Sequence, residues 1–294
     1  MESLLSLAFD NLSSFDGSKI RKGLKQVEGL LAQICLSGPS SPKKQQHGAE
    51  LQQQPLRKVL ADLSPDPAFR EFFKLQEGFE WNIAQRLLTT LDWLVVRGGD
   101  GQYDLLIVNA LDLIQGVLLL HPPSKTLFSR TVHMNLLLDL LEPINCPAIQ
   151  SATIITLVVA LLDVPQNMRV FEHLDGLLTI TSLFKSRETG REVKFRLTEF
   201  LYFYLTPETP SIPKADARAN GVAEPKLLQQ TPSKLGKVLG GAANKVERSR
   251  SNSEGGQTLS VETKKQYLDQ YLPGVVDELL KDLARYKPFG GILN

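Results

Sequence analysis

The sequence is poor in the residues that metal sites and disulfide-stapled domains need. Only two of its 294 residues are cysteines, Cys35 and Cys146, and four are histidines. Two cysteines so far apart cannot build a disulfide framework, and they indicate free thiols in a reducing compartment. None of the histidines belongs to an HExxH motif or has cysteines at the spacing of a zinc site. A secreted disulfide scaffold and a structural zinc site are therefore not expected, and the sequence predicts no metal.

An excess of charge of one sign and long apolar runs are also missing. The chain has 33 Lys and Arg against 32 Asp and Glu, a net charge of +1. Such a balance supplies no general field for binding nucleic acid or an anionic bilayer. No run reaches the roughly 18 apolar residues of a membrane span, and the N-terminus lacks the basic and apolar regions of a secretion signal. We expect a cytoplasmic or nuclear protein without membrane insertion and without nucleic acid as partner.

The motifs of common enzyme classes are absent as well. A cysteine phosphatase loop needs an arginine six residues after its cysteine, but Ser41 follows Cys35 at that distance and Ala152 follows Cys146. The chain has no Gly-Lys-Ser/Thr phosphate loop and no kinase set of glycine loop, strand lysine and DFG. The sequence therefore predicts no catalytic and no cofactor-binding residues, and no enzymatic activity.

What the sequence does contain is a helical pattern that occurs twice, 43 residues apart, between Asp104 and Leu205. The residues identical in both copies are the pairs Leu118 and Leu161, Leu119 and Leu162, Pro122 and Pro165, Phe128 and Phe171, and Leu140 and Leu183. A helical period of about 40 to 47 residues is typical of armadillo and HEAT repeats, whose units bury their apolar faces against their neighbours. The fold class predicted is an all-α, armadillo/HEAT-like array, a kind of scaffold that mostly binds other proteins.

Apolar spacing, caps and prolines predict the helices. The predicted spans are Gly17 to Leu36 with Asp16 as cap, two helices between Pro55 and Leu94, Asp104 to Leu120, Ser124 to Leu141, Pro147 to Leu162, Asn167 to Leu174, Gly176 to Lys185, and Glu188 to Leu205. Pro165 is expected to end a unit. Three helices per unit favour armadillo over HEAT.

Composition divides the chain into three parts. Residues 1–206 form the helical array, with a mobile loop at about 37–54, where Pro, Gln, Lys and Ser predominate. Residues 207–260 are rich in Pro, Ser, Lys, Gly and Ala and are predicted to be a disordered linker. Residues 261–294 recover an apolar stripe and are predicted to form an amphipathic helix, kinked at Pro273, that docks on the array.

The last helix of the array offers a candidate docking surface. In an armadillo stack the third helices line the concave face, here Ala148 to Leu162 and Glu192 to Leu205. The latter carries Phe195, Tyr202 and Phe203 among other apolar residues, more than one stripe can bury at the end of an array. Either the C-terminal helix covers this surface in cis or a partner protein covers it. We favour the helix, because an exposed patch of that size would promote association.

Four candidate phosphorylation sites lie in the segments predicted to be disordered. Ser41 and Thr231 each precede a proline and have a lysine at the third place. Ser251 and Ser253 each follow an arginine by three residues, the spacing read by basophilic kinases. A phosphate would add about 1.5 to 2 negative charges and could switch a docking event.

Three segments of the chain resemble a known fungal family, the cell division control protein 14 of the septation initiation network. They are EGLLAQICL near Glu28, YDLLIVNALDLIQGVLLLHPPSKTLFSR from Tyr103, and NCPAIQSATIITLVVALLDVPQNMRVFEHLDGLLTITSLFKS from Asn145. The resemblance covers about residues 1 to 213 and the terminal helix. The family shares its name with a dual-specificity phosphatase, but the missing Cys-x5-Arg loop fits the non-enzymatic namesake.

The resemblance implies a regulatory subunit or scaffold that binds a germinal-centre, sterile-twenty-like protein kinase. It also implies a place at the spindle pole body and a role in septum formation and cytokinesis. It carries over no binding residue. The alternative is a general armadillo-like adaptor that grips extended peptides without a kinase. Such grooves usually repeat asparagines on their third helices, and here only Asn109, in the central helix, is available.

Overall fold

The computed structural model describes residues 1–36, 58, 63–98, 101–208 and 258–286. Within these residues every regular element is a helix. The helices are α1 (Glu2–Leu12), α2 (Gly17–Cys35), α3 (Pro67–Glu77), α4 (Ile83–Arg97), α5 (Asp104–Leu120), a 3-10 helix (Pro122–Ser129), α6 (Thr131–Asp139), α7 (Pro147–Leu161), α8 (Pro165–His173), α9 (Gly176–Lys185), α10 (Arg191–Tyr204), α11 (Val261–Asp269) and α12 (Val276–Tyr286). The predicted all-α class is confirmed, whereas the armadillo/HEAT-like assignment stays a prediction.

Caps and prolines explain where several helices begin. The Asp16 carboxylate accepts hydrogen bonds from the amides of Ser18 and Lys19, as the sequence predicts for the start of α2. Proline occupies the first position of α7, where its missing N–H costs nothing. The same holds for Pro165 in α8. Helix α8 thus begins two residues before the predicted Asn167, and the expectation that Pro165 closes a unit stays a prediction.

The 43-residue spacing of the sequence recurs in the order of the elements. A shift by 43 carries α5 onto α7, the 3-10 helix onto α8, and α6 onto α9, and a second shift brings α7 to α10. The long helices pack one upon the next, with α5 against α7, α7 against α10, and α10 against α12. The single helix predicted over Ser124 to Leu141 is divided at Arg130, whose extended backbone separates the 3-10 helix from α6.

Burial follows this order of packing. Helix α5 contacts α2, α4 and α7, and α7 lies between α5 and α10. Helix α7 is buried on most of its faces. Its buried side chains include Thr153 and Thr156, whose hydroxyls donate hydrogen bonds to backbone carbonyls one turn earlier. The predicted concave face over Ala148 to Leu162 is therefore wrong for α7, because its neighbours cover it.

Two further differences from the sequence-based prediction concern the ends of the chain. Helix α1 was not predicted, although Leu5, Ala8, Phe9 and Leu12 have helical spacing and are all buried. The C-terminal helix is two helices, since the chain turns through Gly274 at φ +82° between α11 and α12. The break is thus more complete than the kink expected at Pro273. The predicted loop at about 37–54 and most of the linker predicted for 207–260 lie outside the described residues.

Candidate functional site

The C-terminal helices return to the array and pack against α10. Helix α12 contacts α10, and its residues Val276, Leu279 and Leu283 are buried. The hydroxyl of Tyr202 in α10 donates to Asp282 Oδ2 of α12 over 3.3 Å. This contact brings one of the three predicted docking residues to the C-terminal segment.

The other two predicted docking residues differ in their surroundings. Phe203 is half-buried and lines, together with Lys264 of α11, a cavity of about 40 Å³. Phe195 lies at the other end of α10, where its side chain is 60% exposed. The structure therefore brings Tyr202 and Phe203 beside the C-terminal helices and leaves Phe195 uncovered within the described residues.

A buried group of charges fastens α11 to the array. We call it the ion-pair cluster and define it as Arg169, Glu172, Tyr204, Glu208 and Lys264. The Lys264 ammonium lies 3.2 Å from Glu208 Oε1, and Arg169 binds that same oxygen at 2.5 Å. Arg169 also reaches Glu172 Oε2 at 3.2 Å, and the Tyr204 hydroxyl donates to Glu172 Oε1 over 2.8 Å. Two carboxylates and two cations thus neutralise one another.

Lys264 is the most deeply buried charge of the cluster, with 1% of its side chain exposed. Its ammonium donates to the Thr206 carbonyl over 3.0 Å and lies 5.3 Å from the centre of the Tyr204 ring. A buried ammonium without such partners would cost several kcal/mol, so the partners bind α11 firmly to the end of α10. The ion-pair cluster therefore connects α11 to the end of α10, some 60 residues earlier in the sequence.

Burial shifts the pKa values of three groups in the cluster. It lowers the pKa of Lys264, against the opposing effect of Glu208. It raises the pKa of the Glu172 carboxyl, against the opposing effect of Arg169. Burial, and next the negative charge of Glu172, raise the pKa of the Tyr204 phenol. All three shifts favour the neutral form of the group, as expected where water is excluded.

The sequence alone does not predict the ion-pair cluster. Its members come from α8, the end of α10 and α11, and charges so far apart in a sequence look like ordinary solvated residues. One signal was present: Lys264 stands three residues after Val261 and four before Leu268, on the apolar stripe of α11. A lysine on such a stripe indicates a buried partner.

Beside the cluster lies an open groove of about 960 Å³, which we call the C-terminal groove. One wall is a face of α8, with helical spacing, and the other is formed by the end of α11 and the turn after it. The wall residues are Gln166, Arg169, Val170 and His173 on α8, Tyr267 on α11, and Gln270 and Tyr271 in the turn that follows α11. Leu177 and Leu259 also line it, so the groove combines apolar contact area with polar side chains. Such a shape suits an amphipathic helix or a peptide of another protein.

The remaining candidates are a metal site, a membrane span and the predicted phosphorylation sites. Among the described residues, no group of three or more His, Cys, Asp and Glu side chains is placed to hold a metal ion. In that same part of the chain no single helix is long and apolar enough to cross a membrane, although α5 and the 3-10 helix, bent by 120°, pass that test together. The four candidate phosphorylation sites, Ser41, Thr231, Ser251 and Ser253, lie outside the described residues.

Fold and site together define an all-helical protein whose C-terminal helices are fastened in cis beside an open groove. The family model described as cell division control protein 14, SIN component, matches residues 1–289. Cell division control protein 14 of Schizosaccharomyces pombe is 30% identical over 215 residues, which are 72% of this chain and 82% of that protein. The chain therefore belongs to this family, a SIN component of cell division control, and the resemblance found in the sequence is confirmed. No solved structure matches the chain.

Proposed function

We propose that the protein is a non-catalytic regulatory or scaffold subunit that binds a germinal-centre, sterile-twenty-like protein kinase in the septation initiation network. In this role it promotes septum formation and cytokinesis, and it acts in the cytoplasm and at the spindle pole body. Membership in the SIN-component family supports the pathway, and the resemblance noted in the sequence supports the kinase. The recurrence of helices every 43 residues supports an armadillo-like scaffold.

The observation that carries a binding role is the C-terminal groove. One wall is a face of α8, and the other, the end of α11 with the turn after it, belongs to the segment that the ion-pair cluster fastens. A groove held open by buried ion pairs needs little rearrangement before a partner enters, which lowers the entropic cost of binding. Tyr267, 39% exposed on the α11 wall, supplies an aromatic anchor of the kind enriched at interfaces.

Co-precipitation with the germinal-centre kinase of the same organism tests the proposal. The full chain should retain the kinase, whereas the double variant Q166E/Y267E should lose it, because the substitutions place one charge on each wall of the groove. The exposed side chain of Phe79, 84% accessible after the end of α3, offers a control, and F79S should retain the kinase. Equal melting temperatures would show that the variants are folded.

A second readout separates a regulatory subunit from a general adaptor. Kinase activity is measured with and without the purified chain, and localisation of a tagged chain to spindle poles is followed through mitosis. Capture of many unrelated peptides without the kinase would instead support the adaptor. Retention of the kinase by Q166E/Y267E would contradict the assignment of the groove.

A further inference from the structure

A second surface lies where α2 begins, far along the chain from the C-terminal groove. Phe15, Trp93, Arg97 and Tyr103 surround an open recess of about 550 Å³, and we call these four residues the aromatic cradle. The ring of Phe15 lies 5.6 Å from that of Trp93, and Trp93 lies 5.8 Å from Tyr103. The three aromatic rings and the Arg97 guanidinium of the aromatic cradle thus form one continuous surface around the recess.

Phe15 of the aromatic cradle has an unfavourable backbone conformation. Its φ is +55°, in the left-handed region where a residue with a Cβ is strained, and its side chain is 64% exposed. Glycine or asparagine would suit this turn better, and a polar side chain would suit the exposure better. A strained backbone that presents an apolar ring to solvent is typical of a binding residue.

The first turns of α2 add positive charge beside the cradle. Arg21, Lys22 and Lys25 are all exposed and line a shallow recess of about 310 Å³ with Ser18 and Gln26. We call these three cations the basic face. No ion-pair partner is found for them within the described part of the chain. Asp16, between the cradle and the basic face, is engaged as the cap of α2.

We propose that the aromatic cradle and the basic face together bind an extended acidic segment of a partner protein, with one aromatic or proline side chain of that segment seated in the cradle. The aromatic cradle suits stacking or proline contact, and the cations suit carboxylates along the rest of the peptide. This interface is separate from the C-terminal groove and does not depend on the function proposed for it.

Charge argues for a partner in trans rather than residues 37–57, 209–257 or 287–294 of this chain. Residues 37–57 contain three Lys and Arg against one Glu, and residues 209–257 contain eight Lys and Arg against four Asp and Glu. The last eight residues contain one Lys and no acid. Each of these segments is net positive and would be repelled by the basic face.

The half-buried packing of the cradle favours a peptide over a membrane. Trp93 and Tyr103 pack against the core, so their rings line a recess instead of projecting from the surface. Side chains that insert into a bilayer interface project from an amphipathic helix. A recess with aromatic walls receives a side chain of the partner.

Binding of labelled peptides to the full chain tests this inference. The probes are fluorescein-labelled 12-residue peptides of Glu and Asp with a central Phe, Tyr or Pro, followed by fluorescence anisotropy. We expect at least one to bind, more weakly as NaCl rises. Replacing its acidic residues by Gln, or its central residue by Ser, should weaken binding about tenfold.

Two variants with matched controls locate the site. R21E/K22E/K25E should weaken peptide binding about tenfold or more, whereas K185E/R187E/R191E, the same charge change on exposed residues at the end of α9, the start of α10 and the loop between them, should leave it unchanged. F15G should weaken binding without lowering the melting temperature, because glycine relaxes the turn. F79S, which also removes an exposed ring, should bind normally.

The proposal is overturned if none of the acidic peptides binds, or if binding survives R21E/K22E/K25E. It is also overturned if the basic face instead binds vesicles of anionic phospholipid, or if light scattering shows that it joins two copies of this chain. None of these outcomes concerns the kinase, so they are distinguishable from failure of the proposed function.

Discussion

The ammonium of Lys264 lies 5.3 Å from the centre of the Tyr204 ring, and this contact joins α11 to α10. Both side chains are buried, and Glu208 and the Thr206 carbonyl complete the surroundings of the ammonium. The position of α11 therefore depends on a charge that cannot lose its partners without penalty.

Replacement of this lysine should loosen the C-terminal helices. K264M leaves Glu208 with Arg169 as its remaining cation, and breaking such a buried pair costs about 3 kcal/mol. Hydrogen exchange should then accelerate over residues 258–286 more than in α5. The neighbouring K265M, which removes a pair with Asp277 at the surface, is the control and should have a much smaller effect. Equal effects of the two variants would contradict the role of the cluster.

Alkaline pH should destabilise the protein through Tyr204. Its pKa is raised by burial and by Glu172, so above the usual value of about 10 the unfolded chain loses this proton while the folded chain keeps it. The folded state then binds more protons, and the free energy of unfolding falls as pH rises through this range. The fall should be smaller in Y204F, measured by urea unfolding between pH 8 and 11. Lys264, whose lowered pKa has the opposite sign, is present in both proteins, so their difference isolates Tyr204. Parallel curves would contradict the prediction.

Two glycines, Gly176 and Gly29, test the packing of α9 against α8. A Cβ at Gly176 would lie 2.3 to 2.7 Å from ring atoms of Phe171, which is fully buried. G176A should therefore lower the free energy of unfolding by about 1 to 3 kcal/mol. Gly29 in α2 has nothing within 4 Å of such a Cβ, and G29A should raise stability by about 0.5 to 1 kcal/mol. Thermal and urea unfolding measure both, and a destabilisation by G29A as large as that by G176A would contradict this account.

Deletion of residues 261–294 should lower the melting temperature and promote self-association. The deletion removes the partners of α10 and uncovers apolar side chains there, among them Tyr202 and Phe203. Addition of a peptide spanning 258–286 should restore part of the lost stability, because the same contacts would form between two molecules. An unchanged melting temperature and solubility after the deletion would show that these helices contribute nothing to the array.

Local signals in the sequence predicted the central helices well. Helix α5 begins and ends where predicted, since glycines precede it and two prolines follow His121. The predicted start of α8 at Asn167 is two residues late, because Pro165 itself fits the first position of a helix. Helix α1 has readable apolar spacing, but it has no side-chain cap of the kind that marks the start of α2.

The site could not be predicted in the same way. Arg169, Glu208 and Lys264 meet only after α8, α10 and α11 have packed, and no local pattern relates charges so distant in sequence. Phe195 lies on the same face of α10 as Tyr202, seven residues earlier, but it stays exposed because the C-terminal segment contacts the other end of this helix. Contacts between residues distant in the sequence determine both the ion-pair cluster and the exposure of Phe195, and local sequence patterns do not predict such contacts.

The contact between Glu208 and Leu259 has an evolutionary consequence. The Leu259 amide donates to Glu208 Oε2 over 2.9 Å, so the chain departs from the array and rejoins it at the same point. Residues inserted or removed between these two anchors leave both anchors where they are. Relatives can therefore differ in length here while keeping the ion-pair cluster and the helices on either side.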